Sequence, residues 1–155
     1  MAYFYLETSA FLKRYREERG SFYLNQLLDN RSYDFFYLNL TIVEVTKVFF
    51  RLYKYPQNLE NDQKISYEKF QNLLSQFAHD LLEMKKIILT NEIIEESKNV
   101  LQKVYLKSAI DLLHLTTFLI VKSEIPDVKL ISADKEIIKV AKEFVPESEI
   151  IYIEN

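Results

Sequence analysis

The chain has 155 residues, of which 48% are hydrophobic and 28% are charged, and this composition excludes a disordered or fibrous protein. The absence of cysteine excludes disulfides and thiolate metal sites, so any bound metal must use oxygen or imidazole ligands. The formal net charge of -3 means that the field of the whole molecule does not attract nucleic acid. The length predicts one domain over residues 1–155.

The first half of the chain alternates short apolar runs with helical patterns. Residues 1–7 carry no basic region, and their apolar run is too short for a signal peptide or a membrane span, so we expect a cytoplasmic protein with no membrane partner. Tyr3 to Leu6 predict a buried strand, and Thr8 or Ser9 can cap the helix that begins near Ala10. The next predicted elements are a helix over 21–30, a strand over 34–38, a helix over 41–53 and, after the turn at Pro56, a helix with the apolar stripe Phe70, Leu73, Leu74, Phe77 and Leu81.

The second half continues the alternation. It predicts a strand over 86–90, a helix over 91–104, a helix over 108–121, a strand over 128–131, a helix over 134–144 and a last strand over 149–152. The helix over 108–121 is apolar nearly all round, which is typical of a buried helix. Strands that alternate with helices predict an α/β fold in which a mainly parallel central sheet is flanked by helices and ligands bind beyond the carboxyl ends of the strands.

Two carboxylates follow predicted strands directly. Glu7 comes directly after the first strand, and Asp134 comes three residues after Ile131, where a later strand ends. Both acids therefore belong at the ligand-binding edge of the sheet. A helix cap is an equally good explanation of Asp134 alone, because an acid at a helix start accepts hydrogen bonds from free backbone N–H groups. Glu is a poorer cap, which makes Glu7 the more unusual residue.

Two further carboxylates interrupt apolar helices. Asp111 and Glu44 each have a lysine within one helical turn, Lys107 and Lys47, so a local salt bridge explains each acid singly. A buried carboxylate without such a partner is costly unless it is protonated or bound to a cation. Four such acids together are informative, because clustered negative charges require a compensating cation.

Other polar residues close to these acids have two interpretations each. His114, one turn after Asp111, could ligate a metal or move a proton, but we favour a packed histidine that hydrogen-bonds the backbone. Ser9 and Ser132 lie beside the strand-end acids and either orient them or cap helices. Neither serine has a base and an orienting acid at the spacing of a hydrolase triad, so we expect no serine nucleophile.

Four segments resemble the PIN-domain family, and in particular the VapC-like toxins of prokaryotic toxin–antitoxin pairs. The opening strand, acid and helix of that family resemble Tyr5 to Tyr15, and its second acidic motif resembles Thr41 to Val45. The third and fourth motifs resemble 108–115 and 130–138, so the resemblance extends over nearly the whole chain. The family normally has Asp at its first acidic position, whereas this chain has Glu7.

The resemblance implies a PIN-like three-layer fold and a metal-dependent ribonuclease. The implied catalytic and metal-binding residues are Glu7, Glu44, Asp111 and Asp134, which would hold Mg²⁺ or Mn²⁺ for hydrolysis of RNA phosphodiester bonds. It also implies a cognate antitoxin and a homodimer, and the aromatic content of 14% favours such protein interfaces over base stacking. Local positive charge for RNA could come from Lys13, Arg14, Arg16, Arg51 and Lys54, each of which also suits a solvated surface.

Two alternatives to an active ribonuclease stay open. In the first, the change to Glu7 has weakened or ended catalysis, and the protein is a PIN-like binding module that pairs with an antitoxin or RNA. In the second, the protein is a phosphotransfer domain, which also places acids at strand ends. The second is weaker, because Glu7 with Thr8 and Ser9 supplies no nucleophilic aspartate or paired acidic motif.

Overall fold

A computed structural model describes residues 1–56 and 64–154. The strands are β1 (Ala2–Leu6), β2 (Tyr33–Leu38), β3 (Lys85–Ile87), β4 (Lys129–Ser132) and β5 (Ile150–Tyr152). The α-helices are α1 (Thr8–Phe11), α2 (Ser21–Leu28), α3 (Leu40–Lys54), α4 (Tyr67–Leu82), α5 (Asn91–Leu101), α6 (Ala109–Glu124) and α7 (Lys135–Ala141). Two short 3₁₀ segments, Leu12–Tyr15 and Glu147–Glu149, complete the described elements.

The strands form one parallel sheet in the order β3-β2-β1-β4-β5. The chain adds strands on one side of β1 as far as β3, and then crosses to the other side of β1 for β4 and β5. Because the strand order reverses between β1 and β4, a crevice opens there beyond the carboxyl ends of the strands. The predicted α/β architecture with a parallel sheet and flanking helices is confirmed, and it is consistent with a PIN-like three-layer fold.

Alternating side chains of the strands build one core on each face of the sheet. Phe4 and Leu6 of β1 lie in the first core, and Tyr5 between them lies in the second. Helices α1 to α4 cover the first face, and α5 to α7 cover the second. The stripe predicted on α4 is confirmed, since Phe70, Leu73 and Phe77 are buried and Leu74 and Leu81 pack against them. Helix α6 has buried residues on most of its circumference, as its sequence predicts.

Several boundaries differ from those predicted, and pairing explains the clearest case. The strand expected over 86–90 is β3, which pairs with Phe36 to Leu38 of β2 and ends at Ile87 where that partner strand ends. Thr90 instead caps α5, its side chain accepting a hydrogen bond from the backbone N–H of Ile93. Helices α5 and α7 each end three residues before the predicted boundary, at Leu101 and Ala141. In the turns that follow, backbone N–H groups donate to the last carbonyls of each helix.

The one glycine of the chain occupies a position that requires it. Gly20 has a φ of 90°, a conformation that residues with a Cβ rarely adopt. A Cβ at this position would overlap the backbone carbonyl of Ile153, which follows β5. The glycine therefore lets the start of α2 pack closely against the end of the described chain. Within residues 1–56 and 64–154, no helix is long and apolar enough to cross a membrane.

Candidate functional site

The register between β1 and β4 places Glu7 next to Ser132. Leu6 pairs with Ile131, and the N–H of Glu7 donates to the carbonyl of Ile131 at 3.0 Å, so Glu7 extends β1 by one residue. Its side chain is only 3% exposed. A carboxylate with so little access to water needs donors from the protein.

Two serines and a backbone amide supply those donors. Oε2 of Glu7 accepts hydrogen bonds from the hydroxyl of Ser132, at 2.8 Å, and from the hydroxyl of Ser9, while Oε1 accepts from the N–H of Ser9 at 3.0 Å. Glu7 is thus the cap of α1, and the prediction that Thr8 or Ser9 caps this helix is wrong. The longer glutamate side chain reaches back to the first turn, and both serines orient the acid.

Asp134 caps α7. Its Oδ1 accepts hydrogen bonds from the N–H groups of Glu136, at 2.7 Å, and Ile137, at 3.3 Å. The capping explanation of this residue is therefore correct, and it does not remove Asp134 from the edge of the sheet. Its own N–H donates to the hydroxyl of Ser132, which donates in turn to Glu7. One serine therefore links the two strand-end acids.

Glu44 pairs with a histidine from another helix rather than with Lys47. Oε1 of Glu44 lies 2.7 Å from Nε2 of His114 and accepts a hydrogen bond from the hydroxyl of Thr8 at 2.9 Å. Nδ1 of His114 lies 2.8 Å from the hydroxyl of Tyr5. The expectation that His114 hydrogen-bonds the backbone is wrong, because both ring nitrogens face side chains at the site. Burial, and then the charge of Glu7, raise the pKa of Tyr5 well above its usual range, so its hydroxyl stays protonated.

Asp111 lies in the first turn of α6, where Ser108 caps the helix. Among the described residues, no side chain pairs with its carboxylate, so the local salt bridge with Lys107 does not form. Burial, and then the charges of Asp134 and Glu7, raise the pKa of Asp111 to about 6; Glu44 adds to this and His114 opposes it. The other three acids identified in the sequence therefore lie within electrostatic range of Asp111.

The four acids do not form a ready-made cage. Across residues 1–56 and 64–154, no three His, Asp or Glu side chains are grouped so that they could hold a metal ion. Three of the four acids nevertheless keep an oxygen that accepts no hydrogen bond from the described chain: Oε2 of Glu44, Oδ2 of Asp134 and both oxygens of Asp111. Glu7 differs, since both of its oxygens accept hydrogen bonds.

The structure adds three residues that the sequence analysis did not assign to the site. These are Tyr5, Thr8 and Thr41, all buried and all within the hydrogen-bond network of Glu44 and His114. Two of them could have been found from the sequence, because they are hydroxyl residues close to the acids. Thr8 directly follows Glu7, and Thr41 comes one helical turn before Glu44. Both are buried, where an apolar residue would pack as well.

Two of the five basic residues considered for RNA binding are used within the fold. Lys13 is 3% exposed and forms ion pairs with Glu18 and Glu154. Arg14 makes a two-pronged pair with Asp80 and also contacts Asp29. The expectation of a positive surface at these two residues is wrong, because tertiary contacts neutralise both.

We expect Asp111→Asn to stabilise the metal-free protein in a pH-dependent way. Because the pKa of Asp111 is about 6 in the folded state and near 3.8 when unfolded, its stabilising contribution is complete below about pH 3.8 and is lost as the pH rises through 6. Asparagine does not ionise, so the variant should gain on wild type between pH 4 and pH 7, by about 1 kcal/mol, since solvent screens this half-exposed group. Urea unfolding in EDTA at several pH values measures it.

The control is Asp127→Asn, the same substitution at an exposed residue before β4. It should leave the free energy of unfolding close to that of wild type at every pH. A stability difference between Asp111→Asn and wild type that does not change from pH 4 to pH 7 would contradict the shifted pKa.

Comparison with known proteins adds no family assignment. Neither a scan against protein-family models nor a search of curated proteins gives a match for this chain. The likeness to PIN domains therefore rests on the four sequence motifs, together with a fold that is consistent with them.

Proposed function

We propose that this protein is a Mg²⁺- or Mn²⁺-dependent ribonuclease that hydrolyses RNA phosphodiester bonds as the toxin of a toxin–antitoxin pair. The observation that supports this most is the state of Asp111. Its carboxylate is half buried, has no pairing partner in the described chain, and lies within electrostatic range of three further carboxylates. A fold that gathers negative charge in this way is relieved by a cation.

The chemistry of the donors suits a hard cation. Carboxylate oxygens are the ligands that Mg²⁺ and Mn²⁺ prefer, and the crevice offers no sulfur. Asp111, Glu44 and Asp134 would hold the ion through their unpartnered oxygens, and Glu7 would contribute charge. When bound, such an ion polarises a phosphate and lowers the pKa of a water molecule.

The protein's own groups would hold this centre in place. The serine donors fix Glu7 between β1 and β4, and the first turn of α7 fixes Asp134. Helices α6 and α7 begin at this edge, and the partial positive charge of a helix N-terminus favours anions, whether carboxylate or phosphate. The chain would thus keep Glu7 and Asp134 fixed, within electrostatic range of Asp111, before any ion binds.

Exposed lysines next to the acids would bind the RNA backbone. Lys47, Lys107 and Lys135 are exposed, and each lies within four residues of Glu44, Asp111 or Asp134 along the chain. In the described parts of the chain none of them forms an ion pair. We assign the phosphate contacts to these three lysines, in place of Lys13 and Arg14.

Partners and location follow from the same proposal. An antitoxin and a second copy of the chain are the proposed protein partners, and RNA as substrate places the protein in the cytoplasm. Exposed apolar residues on α3, directly after it and at the start of α4 support an interface: Val43, Phe50, Tyr55 and Tyr67 are 66%, 41%, 65% and 60% exposed. Sedimentation of the protein, alone and with the product of an adjacent gene, tests both partners.

One observation favours the second candidate function, a catalytically weakened PIN-like binding module. Three donors occupy the carboxylate of Glu7, and its Oε2 accepts two hydrogen bonds, which uses both lone pairs of that oxygen. A shorter aspartate would not reach the same donors. Glu7 therefore acts as a structural cap in a position where the family normally has Asp.

We expect the wild type to cleave single-stranded RNA when Mg²⁺ or Mn²⁺ is present, and we expect EDTA to abolish this cleavage. Asp111→Asn should lower the cleavage rate by about 10²-fold or more, since a catalytic metal supplies several kcal/mol of transition-state stabilisation. Asp127→Asn should keep full activity. Cleavage that persists undiminished in EDTA and in Asp111→Asn would reject the metal mechanism.

Glu7→Asp separates the two candidate functions. The charge is conserved and little volume is lost, so the fold should persist with a loss of about 1 kcal/mol, the net contribution of the hydrogen bond from Ser132 that the shorter side chain no longer reaches. If the wild type is an active enzyme, the shorter side chain should change the rate or the preference between Mg²⁺ and Mn²⁺ by about 10-fold or more. Activity that appears only in Glu7→Asp would identify the wild type as the weakened form. Glu136→Asp, an exposed glutamate in α7, is the control.

Replacing Lys47, Lys107 and Lys135 together by alanine should weaken binding of a short single-stranded RNA. The salt dependence of log K should fall by about 2, since each phosphate contact on single-stranded nucleic acid contributes about 0.7 to the slope. Fluorescence anisotropy in EDTA measures binding without cleavage. The matched control replaces Lys69, Lys129 and Lys139, exposed lysines that lie more than four residues from each of the four acids along the chain. Equal slopes for both variants would reject the assignment.

A further inference from the structure

His114 joins three elements that the sequence separates widely. It comes from α6, is 1% exposed, and contacts Tyr5 of β1 through Nδ1 and Glu44 of α3 through Nε2. We propose that His114 is a positioning residue, which, held by Tyr5, orients Glu44 so that one carboxylate oxygen faces the crevice for a metal ion. This inference rests on the proposed metal-dependent function, and it adds an explanation of how one metal ligand, Glu44, is oriented.

The contact with Glu44 requires a proton on Nε2 of His114. Nε2 lies 2.7 Å from a carboxylate oxygen of Glu44, which can only accept, so Nε2 must be the donor. In the neutral ring Nδ1 is then an acceptor, to which the hydroxyl of Tyr5, 2.8 Å away, donates. The opposite tautomer would place a lone pair of Nε2 against the carboxylate. The carboxylate of Glu44 therefore sets the proton on Nε2, and Tyr5, whose hydroxyl can donate or accept, holds the other ring nitrogen.

The same network uses up one oxygen of Glu44 and leaves the other open. Oε1 accepts from Nε2 of His114 and from the hydroxyl of Thr8, which accounts for both of its lone pairs. Thr8 is held in turn by Thr41, the two hydroxyls lying 2.9 Å apart. Within the described chain, Oε2 accepts no hydrogen bond. Glu44 is thus presented as a ligand through a single, fixed oxygen.

A competing explanation is that these residues form a buried polar network that only stabilises the core. The two roles differ in what they affect. A stabilising network changes the free energy of unfolding, whereas a positioning residue also changes metal affinity in the folded protein. Groups that orient a metal ligand typically contribute about 10- to 100-fold in affinity.

The experiment compares Mn²⁺ binding by calorimetry in wild type and two His114 variants. His114→Leu removes the donor, and we expect affinity for Mn²⁺ to fall by about 10- to 100-fold. His114→Gln places an amide N–H where Nε2 lies, so affinity should return to within about 3-fold of wild type. Tyr5→Phe, which frees Nδ1, should weaken binding less than His114→Leu does. Thr116→Val is the control, since Thr116 is buried on the same helix and its hydroxyl donates to the carbonyl of Leu112.

Equal Mn²⁺ affinity in wild type, His114→Leu and His114→Gln would overturn the positioning role. If His114→Leu does not fold, the comparison of His114→Gln and Tyr5→Phe with wild type decides: loss of affinity in Gln equal to or larger than that in Phe rejects the role. A wild type that binds no Mn²⁺ would reject the proposed metal function and this role with it, a result distinct from unaffected variants.

A second readout does not depend on metal. The chain has two histidines, His79 and His114, so ¹⁵N NMR of the imidazoles can be assigned with a single variant. We expect His114 to carry a proton on Nε2, the nitrogen that faces the carboxylate of Glu44. A proton on Nδ1 with Nε2 bare would overturn the proposal whatever the metal measurement gives.

Discussion

The pairing of β1 with β4 is the contact on which the rest of the site depends. Because the strand order reverses at this pair, the helices that follow β1 and β4 lie on opposite faces of the sheet and leave a crevice between them. The same register sets Glu7 beside Ser132 and brings Asp134 to that edge. Shifting β4 by one residue would turn Ser132 to the other face and remove a donor from a carboxylate that is almost fully buried.

The fold tolerates three acids within electrostatic range of Asp111 because it supplies hydrogen-bond donors to each of the three. Glu7 receives two serine hydroxyls and an N–H, Asp134 receives the first turn of α7, and Glu44 receives an imidazole and a threonine hydroxyl. A hydrogen bond to a charged group contributes about 1.5–3 kcal/mol, enough to offset much of the cost of burying each acid. Asp111 receives no such donor in the described chain. The ionised form of its carboxylate is therefore disfavoured, and its pKa is raised.

This division explains how a structural role and a proposed functional role can coexist at single residues. Asp134 is a helix cap and Glu7 is a helix cap, yet both lie where their charge acts on Asp111. As a cap, Asp134 has Oδ1 fixed by hydrogen bonds, while Oδ2 accepts none from the described chain. The structural role therefore also fixes the orientation in which Oδ2 could bind a metal ion. At Glu7 the cap and its serine partners engage both oxygens, which makes this position the point where an active ribonuclease and a weakened binding module differ.

The sequence by itself was enough to predict the alternating elements, the parallel sheet and the four acids, because strand and helix periodicity and strand-end position are local properties. The partners of those acids were decided only by the tertiary structure. Local spacing paired Glu44 with Lys47 and Asp111 with Lys107, and it left Lys13 on the surface. Instead Glu44 meets His114, 70 residues away, and Glu7 meets Ser132, 125 residues away, while Lys13 is buried against Glu154. Such contacts depend on strand register and on how helices pack across the sheet. The spacing of neighbouring residues in the sequence determines neither of them.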